Sequence, residues 1–103
     1  MPAFQAEVPH SLGQDAAVAR LKNFLDRVAE RYKDQVSKME GEWNENVLTF
    51  ELTTFGFTIS GTLTVEESSA KIDGKLPFAA VAFRGKIQTS IADELKRELD
   101  RTE

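Results

Sequence analysis

The feature that most constrains the fold is a run of four strand-like segments joined by short turns, at 36–43, 47–54, 57–66 and 70–76. Residues 47–54 show the pattern clearly, since Leu48, Phe50 and Leu52 fall on one face and polar residues on the other. A period of two is that of a β-strand with one buried face. Strands that follow one another through short turns form antiparallel meanders. We therefore expect a meander sheet with one solvated face.

Two amphipathic helices and one more strand flank this run. Residues 3–9 alternate and predict the strand, and Ser11 with Gln14 predicts a capping box for a helix that ends near Lys33. Apolar residues every fourth position from Phe83 to Leu99 predict a second helix that begins at Pro77. We expect a single domain over residues 1–103, an α+β two-layer sandwich in the order β-α-β-β-β-β-α, with both helices on one face of the antiparallel sheet.

The charged residues of both helices are expected to face solvent, opposite the apolar stripes. In the first helix these include Arg27 and Arg31, and in the second they include Glu94 and Glu98.

Composition excludes several classes of function. The chain has 103 residues, a formal net charge of −4 and dispersed cations, which argues against nucleic acid as a partner. It has no cysteine, which excludes disulfides and thiolate chemistry. The longest nearly apolar run, 76–83, is too short to cross a bilayer, so we expect no membrane-spanning segment. The N-terminal residues lack a signal-peptide pattern, and a cytoplasmic location is expected.

No residue pattern predicts catalysis. His10 is the only histidine, and its neighbour Ser11 lacks a third orienting group, so we expect His10 to serve the strand-to-helix turn. The glutamates at 40, 42 and 45 lie around a polar turn and fall short of the ligand set of a metal ion. No glycine-rich phosphate loop is present. The sequence predicts no catalytic, cofactor or metal site, and a protein that is not an enzyme.

A surplus of apolar residues lies near two turns and suggests a contact surface. By strand alternation Phe55 is out of phase with the buried face, and Phe78 and Val81 lie off the stripe of the second helix, to which Phe83 belongs. An exposed apolar patch would bind a protein or a hydrophobic surface. The alternative is that these side chains cap the ends of a small core.

Two further sets of residues carry hypotheses. Ala82 and Gly85 make the start of the second helix small-sided, which suggests close packing against the first helix or against another subunit of a homo-oligomer. Helices on a curved sheet can also enclose a pocket, for which Trp43, Phe50 and Phe83 are the candidate lining residues. A small hydrophobic-ligand-binding module is therefore the alternative function.

Three short motifs carry a family resemblance. They are the segments His10–Gly13, Leu76–Phe78 and Arg84–Ile87, the last followed by Ile91, Leu95 and Leu99. With these motifs the chain resembles the polyhydroxyalkanoic acid system proteins, which are small bacterial proteins. The resemblance implies a setting in polyhydroxyalkanoate synthesis or use, with a granule surface or a granule-associated protein as the partner. It implies no catalytic residues.

Overall fold

The computed structural model describes residues 3–54 and 56–100, which form five strands, three α-helices and one 3₁₀ helix. The strands are β1 (Ala3–Pro9), β2 (Val36–Asn44), β3 (Val47–Thr54), β4 (Phe57–Val65) and β5 (Ser69–Lys75). The helices are α1 (Gln14–Leu21), α2 (Phe24–Arg31), the 3₁₀ helix (Phe78–Phe83) and α3 (Arg84–Asp100).

The strands form one antiparallel sheet in the order β1-β5-β4-β3-β2. The meander β2 to β5 follows chain order, and β1 pairs with β5 at the far side, so β1 and β2 are the two edges. The helices pack on one face of this sheet. The predicted α+β class, with an antiparallel meander and helices on one face, is therefore confirmed.

The core lies between the sheet and the helices. Alternate residues of each strand point into it, as Leu48, Phe50 and Leu52 do in β3. The helices contribute buried apolar side chains from the facing side: Ala17, Leu21, Phe24, Val28, Ile91, Leu95 and Leu99. Most threonines and charged residues of the strands take the outer face, as the alternation predicts, whereas Thr54 at the end of β3 is buried.

Three glycines and two phenylalanines form one row across the inner face of the sheet. Strand register aligns Phe4, Gly74, Gly61, Phe50 and Gly41 in neighbouring strands. A Cβ at Gly74 would overlap the ring of Phe4, and a Cβ at Gly61 would overlap a backbone oxygen of β5. Glycines at such positions let a sheet curve and let aromatic rings cover the backbone. The row therefore supports the curvature of the sheet around the helices.

The first helix differs from the prediction at its start and in its middle. Gly13 is the N-cap, and the Ser11–Gln14 capping box is not formed. Instead a carboxylate oxygen of Glu67, from the turn after β4, accepts the backbone N–H of Gln14 at 3.3 Å. The helix is also broken at Lys22–Asn23 into α1 and α2. The apolar stripe runs through this break without interruption, so its periodicity could not show it.

The second predicted helix is α-helical only from Arg84, because residues 78–83 form the 3₁₀ helix. The expectation that Glu94 and Glu98 face solvent is wrong, since both are almost fully buried. Arg31 Nε lies 2.7 Å from Glu94 Oε1, and Arg27 Nε lies 3.8 Å from Glu98 Oε2. The glutamates are buried because α2 packs beside α3 and brings its arginines to them.

His10 holds two turns together, as the sequence suggested. Its Nδ1 accepts the backbone N–H of Leu12 at 3.1 Å. Its Nε2 therefore carries the proton and donates to the carbonyl oxygen of Glu66 at 3.0 Å. Nδ1 thus stabilises the β1–α1 turn itself, and Nε2 fastens that turn to the turn after β4.

Candidate functional site

Three large apolar side chains of the 3₁₀ helix are exposed, and we call them the apolar face: Phe78, Val81 and Phe83. Phe78 is 77% exposed, and Val81 and Phe83 are each 42% exposed. A 3₁₀ helix has three residues per turn, so Phe78 and Val81 lie on the same edge. Ala80 is buried and anchors the other side of the helix to the core. The segment is thus fixed in place while its large side chains face outward.

The position of Phe83 departs from the sequence prediction, which placed it in the core stripe. It ends the 3₁₀ helix, where the four-residue spacing of the α-helical stripe does not apply. Its ring centroid lies 6.2 Å from that of Phe57 in β4. Phe55, the remaining residue of the predicted contact surface, lies outside the described residues.

An apolar cavity of about 150 Å³ lies next to the apolar face, between α2 and α3 on one side and β2, β3 and β4 on the other. Phe83 belongs to both the cavity wall and the apolar face. The wall is formed by Val28, Tyr32, Gln35, Val36, Leu52, Thr54, Ile59, Phe83, Lys86, Ile87, Ser90, Ile91 and Glu94.

The cavity follows α3 from an exposed end to a buried end. Exposed Lys86 and half-exposed Phe83 lie at one end, and buried Glu94 lies two helical turns further on, about 12 Å along the axis. Glu94 Oε1 forms an ion pair with Arg31 Nε at 2.7 Å and accepts a hydrogen bond from Arg97 at 3.0 Å. The buried end of the cavity is therefore a compensated ion cluster, and its exposed end carries the ammonium group of Lys86.

Of the three residues predicted to line a pocket, only Phe83 lines this cavity. Phe50 is buried in the core on the glycine row. Trp43 lies seven residues along β2 from Val36, or about 23 Å, and Lys22 Nζ sits 5.2 Å from its ring centroid. The sequence analysis did not predict that Val28, Tyr32 and Ile87 line the cavity. These residues belong to the apolar stripes of the helices and look like ordinary core residues.

The small residues at the start of the second helix contact no other helix closely. Ala82 is exposed, and a Cβ added at Gly85 would meet no atom of the described residues within 4 Å. Packing of Gly85 against the first helix is therefore wrong. Packing of this surface against another subunit stays a prediction.

The described residues, 3–54 and 56–100, offer little coordination chemistry. In that part of the chain, no group of three or more histidine, aspartate or glutamate side chains is placed to hold a metal ion. None of the described helices combines the length and apolar character that crossing a bilayer requires. The apolar face and the adjoining cavity are therefore the features from which a function can be argued.

An antiparallel sheet packs against the long helix α3 with an apolar cavity between them, which defines a helix-on-sheet α+β protein. The chain belongs to the putative polyhydroxyalkanoic acid system protein family, whose model matches residues 5–99. The family resemblance drawn from the three motifs is thereby confirmed. No curated protein sequence matches the chain.

Solved structures share the fold at low sequence identity. DynU16, from the dynemicin biosynthetic locus, is 13% identical with a TM-score of 0.66, over 95% of this chain and 47% of DynU16. The chain thus spans about half the length of that protein. TTHA0849 from Thermus thermophilus is 14% identical with a TM-score of 0.56, over 95% of this chain and 92% of TTHA0849. These similarities show the fold alone.

Proposed function

We propose that this protein is a non-catalytic accessory component of the polyhydroxyalkanoate system that binds the granule surface through the apolar face. The observation that carries the proposal is the exposure of Phe78, Val81 and Phe83 on one short, anchored helix. Contiguous exposed apolar side chains mark surfaces that bind proteins or other apolar matter. Membership of the family supports the choice of the polymer as the apolar partner. The location that follows from this partner is the cytoplasm, where granules form.

The driving force in this proposal is burial of apolar area. A phenylalanine or valine side chain gains about 1.5–3 kcal/mol when it is fully removed from water. Phe78 has the most to gain, because 77% of it is exposed. Coulomb attraction is not required, since the chain carries a net charge of −4 and an ester polymer is neutral along its length. Binding should therefore survive salt that screens charges.

The test is co-sedimentation of the purified protein with polyhydroxyalkanoate granules at low and high salt. The informative variant is Phe78→Ser/Val81→Ser. Its matched control is Ala79→Ser/Ala82→Ser, which adds the same two hydroxyls on exposed positions of the same helix. Circular dichroism and the unfolding midpoint verify that both variants are folded.

We expect the wild type and the control to sediment with granules at both salt concentrations, and the apolar-face variant to remain in solution. Equal sedimentation of the two variants would contradict the role of the apolar face. Failure of the wild type to sediment at either salt concentration would contradict granule-surface binding and direct attention to a granule-associated protein.

A second candidate function is the binding of a small apolar ligand, which the cavity of about 150 Å³ favours. Ligand pockets usually measure about 300–1,000 Å³, so this one would enclose a small molecule or one end of a larger one. A dry apolar cavity of about this size can bind benzene. The cavity is thus large enough for a hydrocarbon group of about six carbon atoms.

A further inference from the structure

We propose that the cavity binds a monocarboxylic acid with an apolar chain of about six carbon atoms, chain end inward and carboxylate at Lys86. This inference deepens the second candidate function by naming the ligand class. It does not depend on Phe78 or Val81, the residues that the granule test changes, although Phe83 belongs to both the cavity wall and the apolar face.

The size and lining of the cavity select the chain. Residues from three strands, two α-helices and the 3₁₀ helix surround it, and Leu52, Ile59 and Ile91 supply its buried apolar wall. Its volume of about 150 Å³ suits a group the size of benzene. A methylene group gains about 0.8 kcal/mol on burial, which is about fourfold in affinity. Affinity should therefore rise with chain length until the cavity is full and then stop rising.

The polar groups select the end that carries the charge. Among the described residues, the charged side chains that line the cavity or form an ion pair with its lining are Lys86, Glu94, Arg31 and Arg97. They carry three positive charges and one negative charge, although the chain as a whole has a net charge of −4. The surroundings of the cavity therefore favour an anion over a cation.

The orientation follows from the burial of these groups. Glu94 lies at the buried end, where it already pairs with Arg31 and accepts a hydrogen bond from Arg97. Lys86 lies at the exposed end, where a carboxylate can keep part of its hydration. Ser90 lies one turn further along α3 on the same wall and offers a hydroxyl to a polar substituent near the carboxylate. An acid is thus bound with its apolar end beside Ile59 and Ile91.

The experiment is an NMR titration of the full chain with acetate, butanoate, hexanoate and octanoate. Hexan-1-ol and hexylammonium, which share the six-carbon chain, test the charge. We expect amide shifts around the cavity, an affinity gain of about 15-fold from butanoate to hexanoate, and little further gain for octanoate. Hexanoate should bind up to about fivefold more tightly than hexan-1-ol, and hexylammonium more weakly than either.

Two pairs of variants locate the site. Ser90→Leu replaces a small lining residue with a large one that fills part of the cavity. Thr89→Leu makes a comparable change at the preceding position of α3, which is exposed. Ser90→Leu should abolish hexanoate binding while keeping or raising the unfolding midpoint, and Thr89→Leu should bind normally. Lys86→Gln should remove the advantage of hexanoate over hexan-1-ol, whereas Lys75→Gln, at an exposed position of β5, should keep it.

The outcomes distinguish a preference for carboxylates from ligand binding in the cavity, and both of these from granule binding. Equal binding of hexanoate, hexan-1-ol and hexylammonium would overturn the carboxylate preference and leave an apolar-ligand pocket. Absence of binding by all ligands, or undiminished binding by folded Ser90→Leu, would overturn the cavity as a ligand site. Neither result alters the granule test, which depends on Phe78 and Val81.

Discussion

Arg31 of α2 and Glu94 of α3 form an ion pair, with Nε 2.7 Å from Oε1, and Arg97 donates to the same oxygen at 3.0 Å. The carboxylate is almost fully buried, whereas both guanidinium groups are about half exposed. A charge removed from water in this way requires a partner. The two arginines therefore share one task, and either can partly fulfil it.

We expect the two arginine truncations to be strongly non-additive. Arg31→Ala or Arg97→Ala alone should cost about 1 kcal/mol, because the other arginine still pairs with Glu94. The double variant should cost about 3–5 kcal/mol, because it leaves a buried carboxylate uncompensated. Urea unfolding of the four proteins in the cycle measures the coupling.

The control for this cycle pairs Arg31→Ala with Arg84→Ala, at an exposed position at the start of α3. For independent sites, the changes in the free energy of unfolding add to within about 0.5 kcal/mol. We expect the Arg31–Arg84 control cycle to show this additivity. Equal additivity in the Arg31–Arg97 cycle would contradict the shared role.

Glycine-to-alanine substitutions should lower the free energy of unfolding on the sheet and raise it on α3. Gly61→Ala and Gly74→Ala place a methyl group against the backbone of β5 and against the ring of Phe4, respectively. We expect each to lower the free energy of unfolding by about 1–3 kcal/mol or more. The methyl group of Gly85→Ala would meet nothing within 4 Å in the described part of the chain, and the substitution should raise the free energy of unfolding by up to about 1 kcal/mol. Thermal and urea unfolding distinguish the two groups, and a stable Gly74→Ala protein would argue against the aromatic cover.

The oligomeric state of Gly85→Ala tests whether Ala82 and Gly85 pack against another subunit. If the surface of Ala82 and Gly85 packs against another subunit, the added methyl group should weaken self-association in sedimentation velocity. An unchanged sedimentation coefficient over a tenfold range of concentration would exclude close packing there.

Substitution of His10 should affect stability alone. His10→Ala removes one hydrogen bond within the β1–α1 turn and one to the turn after β4, and should cost about 1–3 kcal/mol, on the basis of about 0.5–1.5 kcal/mol for each. Ser11→Ala is the neighbouring control and should stay within about 0.5 kcal/mol of the wild type, because no capping box is formed. Folded His10→Ala protein should bind granules as the wild type does, and a loss of granule binding would show a role beyond the turn.

The strand pattern was predictable because it depends on local alternation. Leu48, Phe50 and Leu52 on one face of β3 required no knowledge of their partners. Pairing of β1 with β5 was not predictable, because register between distant segments is set by the packed core. The break at Asn23 was also hidden, since the apolar stripe continues from Leu21 to Phe24 and Val28.

The ion cluster was missed because burial of a charge depends on a distant partner. Glu94 and Glu98 look solvent-facing within α3, and Arg27 and Arg31 look so within α2. One signal was available, namely that both pairs have a spacing of four residues and so line one face of each helix. A pocket between the helices and the sheet was predicted, but its position was not. The cavity lies between α2 and α3 on one side and β2, β3 and β4 on the other, and this arrangement depends on tertiary packing.

The most direct test of granule binding through the apolar face is a fluorescence measurement at single sites. The chain has no cysteine, so Ala79→Cys and Ala16→Cys each provide one labelling position, and both residues are exposed. An environment-sensitive dye at position 79 lies within the 3₁₀ helix, and the same dye at position 16 lies on α1. On addition of polyhydroxyalkanoate granules, we expect a blue shift at position 79 and none at position 16. An equal shift at both positions, or a shift at position 16 alone, would contradict binding through the apolar face.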